Sequence, residues 1–206
     1  IKNILFSINH ITVPEVMQVL VQDENCKIDA FLGPSHVSVI SGSKIYEEFP
    51  LSYNKPVVVS GFEPVDVMQS ISMIVKQFKE KRANLEIEYK RVVSYDGNLK
   101  AQELINKYFK KVPFKFRGIG EVENSGYELK DEFDKYNAKI VYKDILPTHE
   151  VKENKACKCP EILKGVAKPT DCKIFGTVCT PTNPIGSCMV SSEGACSAYY
   201  KYGNLL

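Results

Sequence analysis

The residues with the clearest capacity for chemistry are cysteines, and they are unevenly distributed along the chain. Of seven cysteines in 206 residues, only Cys26 lies in the first three quarters. The other six fall within residues 157–196; they are Cys157, Cys159, Cys172, Cys179, Cys188 and Cys196. Thiols this close in sequence are typical of a disulfide framework or of a metal site.

Three kinds of cysteine chemistry compete for this stretch. Disulfides belong to oxidising compartments and to small domains without a core, whereas the rest of this chain can build a core. Structural zinc favours Cys-x2–4-Cys knuckles or Cys/His pairs, but the closest pair here is Cys157-Lys158-Cys159, and no histidine follows it. An iron–sulfur cluster accepts wider spacing and selects soft thiolates. Spacing therefore favours iron–sulfur and leaves disulfides, zinc and inert buried thiols open.

A second group of chemical residues follows predicted strands. The loops at residues 9–12, 33–36 and 61–64 hold His10, His36 and Glu63, and Asp66 lies just beyond the third loop. Ligands of parallel sheets bind beyond the carboxyl ends of the strands, so these side chains are candidates for a cleft. Each histidine taken singly is more typical of a capping or hydrogen-bonded structural residue, and only the combination of two histidines with a glutamate at one sheet edge makes the two interpretations equal. The order of residues matches no Ser-His-Asp triad and no metalloprotease motif.

The elements that must position these residues alternate between strands and helices. Short apolar runs predict strands at residues 3–8, 28–32, 57–60 and 138–142, with helices at 14–21, 64–81 and 99–109. This order predicts an α/β fold with a mainly parallel, Rossmann-like sheet in residues 1–150. Residues 151–206 are predicted to form a small cysteine-rich iron–sulfur domain that ends in a helix. An apolar stripe on the second helix is predicted to face the core; it comprises Val65, Met68, Ile71, Val75 and Phe78.

Composition excludes several classes of protein. Hydrophobic residues make up 44% and charged residues 25% of the chain, which is typical of a globular domain. No apolar run approaches the roughly 20 residues of a membrane span, and a net charge of +2 is too small to indicate a nucleic-acid partner. The chain starts at Ile1 without a signal-peptide pattern, so we expect it to begin within a longer protein.

Several motifs together resemble one family. They are the tail from Cys172 to Cys196, with Thr180-Pro181 and Ser192-Glu193-Gly194-Ala195 inside it, and the segments Pro34-Ser35-His36-Val37-Ser38, Val59-Ser60-Gly61-Phe62-Glu63-Pro64 and Arg117-Gly118-Ile119-Gly120. Across the whole chain these residues resemble the hydrogenase maturation factor HypD family. The resemblance implies a [4Fe–4S] cluster on Cys157, Cys172, Cys179 and Cys196, whose gaps of 14, 6 and 16 residues match the family pattern. Cys159 is the rival of Cys157, and Cys159 and Cys188 are otherwise expected to be packed thiols.

The resemblance also implies a function. It implies a scaffold in the cytoplasm that helps to build the iron centre of [NiFe] hydrogenase, with its two cyanides and one carbon monoxide. Its implied partners are HypC and the cyanide-donating HypE–HypF pair, together with iron. In that role His10, His36, Glu63 and Asp66 would line the cleft and bind cyanide nitrogen or relay protons.

One departure from the family leaves alternatives open. The Cys-Gly-Thr-His and Cys-x-x-Cys motifs of the family are absent from this sequence, which favours a carboxyl-terminal part or a protein split over two chains. A purely structural module that docks HypC is the second hypothesis. The third hypothesis is a stand-alone α/β enzyme that acts on a small anion. The sequence contains no phosphate-binding loop to support this hypothesis.

Overall fold

The structure is a computed structural model that describes residues 3–146 and 154–203. Its α-helices are α1 (Pro14–Gln22), α2 (Ser35–Ser41), α3 (Glu48–Tyr53), α4 (Pro64–Lys79), α5 (Leu99–Tyr108), α6 (Ala138–Val141), α7 (Cys159–Leu163), α8 (Ser187–Val190) and α9 (Ala195–Tyr202). Its strands are β1 (Phe31–Pro34), β2 (Val57–Ser60), β3 (Leu85–Ile87), β4 (Phe109–Phe116) and β5 (Gly120–Leu129). Among the helices of these residues, none combines the length and the apolar composition that crossing a membrane requires.

The chain divides into two compact units. One comprises Ile28–Lys110 and is called the sheet unit here. The other, called the cysteine unit, comprises Ile1–Lys27 together with Lys111–Leu206. The predicted domain boundary between residues 150 and 151 lies outside the described residues.

The sheet unit confirms the predicted α/β class. Its three strands are parallel in the order β1-β2-β3, with Val58 of β2 opposite Leu32 and Glu86. The side chains of Val57, Val58 and Val59 are completely buried, because β2 is the central strand and α2 and α4 both pack against it. Such a strand is a continuous β-branched run and does not alternate in polarity.

The position of α4 is as predicted, but its orientation is not. The predicted core stripe faces outward: Val65 is 72% exposed, Met68 67% and Phe78 46%. The buried residues of α4 are Asp66, Ser70 and Gln77. Some polar groups of this inner face are hydrogen-bonded. The Gln77 side chain accepts a hydrogen bond from the backbone N–H of Asn84 at 2.7 Å.

In the cysteine unit, α1 packs against β5 of the β4–β5 hairpin. The strand predicted at residues 3–8 is reduced to a single bridge, between Phe6 and Asn137. The strand predicted at 138–142 is wrong, because Ala138–Val141 form the helix α6. The side chain of Asn137 caps this helix by accepting a hydrogen bond from the N–H of Lys139 at 3.0 Å, and this capping favours helix over strand.

Candidate functional site

The six cysteines of the tail come together in one largely buried group. The structural elements that carry them are short. Cys159 opens α7, Cys188 lies in α8 and Cys196 in α9. Cys172 follows a single 3-10 turn at Pro169–Asp171. Five of the six are buried and form a hydrophobic core with Ile162 and Met189, and the half-buried Cys157 packs against it. The interior of this segment is therefore made largely of sulfur.

A tight turn fixes the stretch between Cys172 and Cys179. The backbone N–H of Cys179 donates to the carbonyl of Ile174 at 2.8 Å, and the N–H of Gly176 donates to the carbonyl of Cys179 at 3.0 Å. Gly176 has a φ of +69°, a left-handed conformation that glycine adopts without cost. The turn closes the gap of six residues and returns the chain to the sulfur group.

Two of the thiols form a close pair. The Sγ atoms of Cys159 and Cys188 lie 2.7 Å apart, and the Ser187 hydroxyl lies 2.9 Å from Cys159 Sγ. The hydrogen bond from Cys188 lowers the pKa of the Cys159 thiol against the opposing effect of burial, and Ser187 adds to the lowering. The same hydrogen bond raises the pKa of Cys188, as does its burial. Cys159 is therefore the more acidic thiol of the pair.

Burial and the neighbouring thiols oppose the ionisation of Cys157 and Cys196. Burial, together with the charges of Cys159, Cys172 and Cys179, raises the pKa of Cys196 to about 11. Burial likewise raises the pKa of Cys157, and the same three thiols add to the effect. Bound iron would reverse this penalty, because metal ions stabilise thiolates.

A short segment contacts several of these sulfurs. The backbone N–H of Ile185 donates to Cys179 Sγ at 3.4 Å. Gly186 lies so close to Cys157 that a Cβ atom there would stand 2.5 Å from its Sγ. The absence of a side chain at Gly186 therefore leaves the space that the Cys157 sulfur occupies.

The donor set consists of thiols, the ligands that iron–sulfur clusters and other soft metals take in proteins. Thiolates around one zinc ion would lie about 3.8 Å from each other, given a Zn–S distance of about 2.3 Å. Within the described ranges, no group of three or more His, Cys, Asp and Glu side chains is arranged to hold a single metal ion. A four-iron cluster presents its irons at the corners of a cube and accepts thiolates that are farther apart.

The structure places the four predicted ligands, Cys157, Cys172, Cys179 and Cys196, in this one group. Their role as ligands stays a prediction. Sequence reasoning missed the pairing of Cys159 with Cys188, which it treated as separate packed thiols. No local pattern could have found the pair, because the two cysteines are 29 positions apart. Cys26 lies outside the group, lining a surface cavity with Lys27 and Lys164.

Three of the four predicted cleft residues follow neighbouring strands of the sheet unit. His36 lies in the first turn of α2, directly after β1, and its ring lies 5.1 Å from that of Phe62, centroid to centroid. Glu63 precedes α4 and is exposed. Because β1 and β2 are parallel neighbours, these groups share one edge of the sheet.

Asp66 is the buried member of this edge. It lies in the first turn of α4 with its side chain 6% exposed, and its Oδ1 accepts a hydrogen bond from Arg91 Nη2 at 2.7 Å. The Arg91 guanidinium also lies over the Tyr89 ring, 4.6 Å from its centroid. A buried carboxylate held by an exposed arginine is thus fixed beside the end of β3.

His10 belongs to the cysteine unit, apart from the other three. Its side chain is exposed, and its backbone carbonyl accepts a hydrogen bond from the N–H of Tyr127 at 3.0 Å. The structure therefore ties the backbone of His10 to β5. Its membership of a cleft with His36, Glu63 and Asp66 stays a prediction.

Fold and site together define an α/β protein with a thiol-rich centre suited to soft metals. The chain belongs to the HypD family, whose model, described as "Hydrogenase formation hypA family", matches residues 1–203. The resemblance inferred from the motifs is thereby confirmed.

Individual relatives agree with the family assignment. The chain is 46% identical over 210 residues to "Hydrogenase maturation factor HypD2" of Bradyrhizobium diazoefficiens, covering 98% of this chain and 55% of that protein. It is 51% identical over 177 residues to "Hydrogenase maturation factor HypD" of Cupriavidus necator, covering 85% and 46%. It is 42% identical over 209 residues to the protein of that name from Azotobacter vinelandii, covering 98% and 55%. The chain spans about half the length of these relatives.

Proposed function

We propose that this chain acts in the maturation of [NiFe] hydrogenase and carries a [4Fe–4S] cluster on Cys157, Cys172, Cys179 and Cys196. The observation that carries the proposal is the convergence of all six tail thiols on one buried group, in a chain of the HypD family. When bound, the cluster would supply one-electron chemistry. Its cargo would be the iron that receives two cyanides and one carbon monoxide.

The Cys159–Cys188 pair gives the chain a second redox group of its own. A disulfide bond is about 2.05 Å long, so sulfurs 2.7 Å apart need only a small movement to join. Exchange with a disulfide such as oxidised glutathione would form one S–S bond in the chain, break the S–S bond of glutathione, and release two glutathione thiols that carry the two protons and two electrons. The Ser187 hydroxyl is placed to stabilise the Cys159 thiolate during such exchange.

Polar side chains at the edge of the parallel sheet are the proposed binding groups for the ligand. His36, Glu63 and Asp66 would hold a small anionic ligand such as cyanide by hydrogen bonds, or relay protons to it. The same role is proposed for His10. Support comes from the placement of the first three at the carboxyl edge of the parallel sheet.

Partners follow from the same proposal. We expect the chain to work with HypC and to receive cyanide from the HypE–HypF pair, in the reducing cytoplasm where thiolate clusters assemble. The relatives are named hydrogenase maturation factors, and this assignment of partners depends on the family resemblance.

Anaerobic reconstitution with iron and sulfide tests the cluster. The purified chain should turn brown and bind about four irons and four acid-labile sulfides. Replacing Cys172, Cys179 or Cys196 by alanine should abolish this, whereas Cys188→Ala is the matched control and should keep it. Cys157→Ala and Cys159→Ala decide between the rival ligands, and we expect only the first to lose iron.

Two results would contradict the cluster: disulfides among the four ligand cysteines, or one zinc per chain. Loss of iron in Cys188→Ala would contradict the proposed set of four ligands. It would not contradict the proposal that the chain binds a cluster.

A second function is a structural module in which a cluster or a zinc only stabilises the fold while the surface binds HypC. The core formed by the tail cysteines favours this structural function, because that core has few other buried apolar residues. A redox titration separates the two functions. A cluster that stays oxidised across about −700 to +450 mV, the range of protein iron–sulfur centres, would leave only the structural role.

A further inference from the structure

The turn of the β4–β5 hairpin contacts the cysteine group through Arg117. Its Nη1 donates a hydrogen bond to the carbonyl of Ile185 at 2.8 Å. Its own backbone carbonyl accepts a hydrogen bond from the Ser187 hydroxyl at 3.3 Å. Arg117 is therefore bonded to two residues of the same segment, which lies about 70 positions farther along the chain.

That segment, residues 185–188, reaches four different cysteines. Ile185 donates its N–H to Cys179 Sγ, and Gly186 makes room for Cys157 Sγ. Ser187 contacts Cys159 Sγ at 2.9 Å, and Cys188 supplies the partner sulfur at 2.7 Å. A shift of this segment would thus change the surroundings of both proposed ligands and both members of the thiol pair.

The hairpin turn is shaped to come this close. Gly118, the next residue, has a φ of +83°, and a Cβ atom there would stand 3.3 Å from the Pro160 ring and 3.8 Å from Cys159 Cβ. A side chain at this position would be strained and would press on the start of α7. The turn, with Arg117 beside Gly118, therefore lies close to the start of α7.

We propose that Arg117 is a positioning residue that holds residues 185–188 so that Cys188 faces Cys159 and Gly186 faces Cys157. A guanidinium suits the task because it donates from a rigid plane and keeps its charge. The inference rests on the proposed function for the identity of Cys157 and Cys179 as ligands. For the thiol pair it rests on the contacts of this chain alone.

The test measures the thiol pair and the cluster separately. The chain without iron is equilibrated anaerobically with glutathione buffers, quenched in acid, and analysed for Cys159–Cys188 by differential alkylation and peptide mass spectrometry. One oxidised glutathione and the dithiol give the protein disulfide and two reduced glutathiones, so the equilibrium constant follows directly. Reconstituted iron content and visible absorption are recorded in parallel.

Arg117→Gln should lower the equilibrium constant for disulfide formation about tenfold, the size expected for losing one charge-assisted hydrogen bond. Arg117→Lys, which keeps the charge and one donor, should recover most of it and remain about threefold low. Lys115→Gln removes an exposed charge from the same hairpin and should change the constant less than twofold.

Equal constants for the wild type, Arg117→Gln and Lys115→Gln would overturn the inference. Should Arg117→Gln fail to fold, Arg117→Lys alone decides, and an unchanged constant would overturn it as well. Failure of the wild-type chain to bind iron would refute the proposed cluster while the glutathione equilibrium still tests Arg117.

Discussion

At the scale of residues, Cys159 and Cys188 differ from the other tail thiols in what lies beside their sulfurs. Each has the other within 2.7 Å, and Ser187 supplies a hydroxyl to Cys159. The sequence predicts which cysteines belong to the tail group, because local spacing limits where the chain can go. It does not predict this pair, since the two are 29 positions apart and only the packing of α7 on α8 joins them.

Gly186 is the residue whose substitution tests the sulfur group most directly. Gly186→Ala would place a methyl group 2.5 Å from Cys157 Sγ, so the sulfur must move. We expect reconstituted iron to fall by half or more, measured by iron analysis and visible absorption. Gly120→Ala is the control, because it strains a residue with a φ of +100° but places its methyl group in open space. Equal iron in all three proteins would show that Cys157 is not a ligand.

At the scale of elements, the sequence predicts where a helix or strand lies better than which way it faces. The β-branched run of β2 predicts a buried strand, and burial of all three valines confirms it. The period of α4 shows which residues share a face, but the structure turns that face outward and buries Ser70 and Gln77. Periodicity fails here because an inner face of small and hydrogen-bonded side chains can also pack on a sheet. The strand predicted at 138–142 fails because the cap at Asn137 outweighs local β-propensity.

A matched pair of valines tests the orientation of α4. Val58→Ala, at a fully buried position of β2, should lower the free energy of unfolding by about 2 kcal/mol through lost burial and a residual cavity. Val65→Ala, at a position 72% exposed, should change it by less than about 0.5 kcal/mol. Urea unfolding of the three proteins measures both values. A similar cost at the two positions would mean that the outer face of α4 is covered in solution.

The ion pair between α1 and β4 predicts a dependence of stability on pH. Burial alone would raise the pKa of Glu15, but the hydrogen bonds from Lys111, Thr12 and the backbone, together with the charge of Lys111, outweigh burial and lower it. A carboxyl with a lowered pKa stabilises the fold above its unfolded pKa of about 4.3, and this contribution is lost as the pH falls through the folded pKa. Glu15→Gln should therefore cost up to about 1 kcal/mol at pH 7 and almost nothing at pH 3.

Urea unfolding at both pH values measures this difference. Glu121→Gln removes an exposed carboxylate from β5 and serves as the control, with little change expected at either pH. A loss in Glu15→Gln that is as large at pH 3 as at pH 7 would show that the ion pair is not its source.

At the scale of the whole molecule, family membership and fold class could both be predicted, but for different reasons. The α/β class follows from the alternation of apolar runs, which is elementary packing. The family follows from motifs such as the tail between Cys172 and Cys196, which no packing argument could have supplied. The two compact units could not be predicted, because the cysteine unit combines Ile1–Lys27 with Lys111–Leu206. Such a unit depends on long-range pairing, for example of Thr12 with Ser125.

The sulfur-built interior of the tail has a consequence for the life of the protein in a cell. In the proposed function, the sulfurs that would bind iron are also those that form the buried core of residues 154–203. A copy without iron would then lack the bonds that join these sulfurs and would be degraded first. Iron scarcity would then be felt as a shorter lifetime of the unfilled protein, so that the surviving population is already equipped for its task.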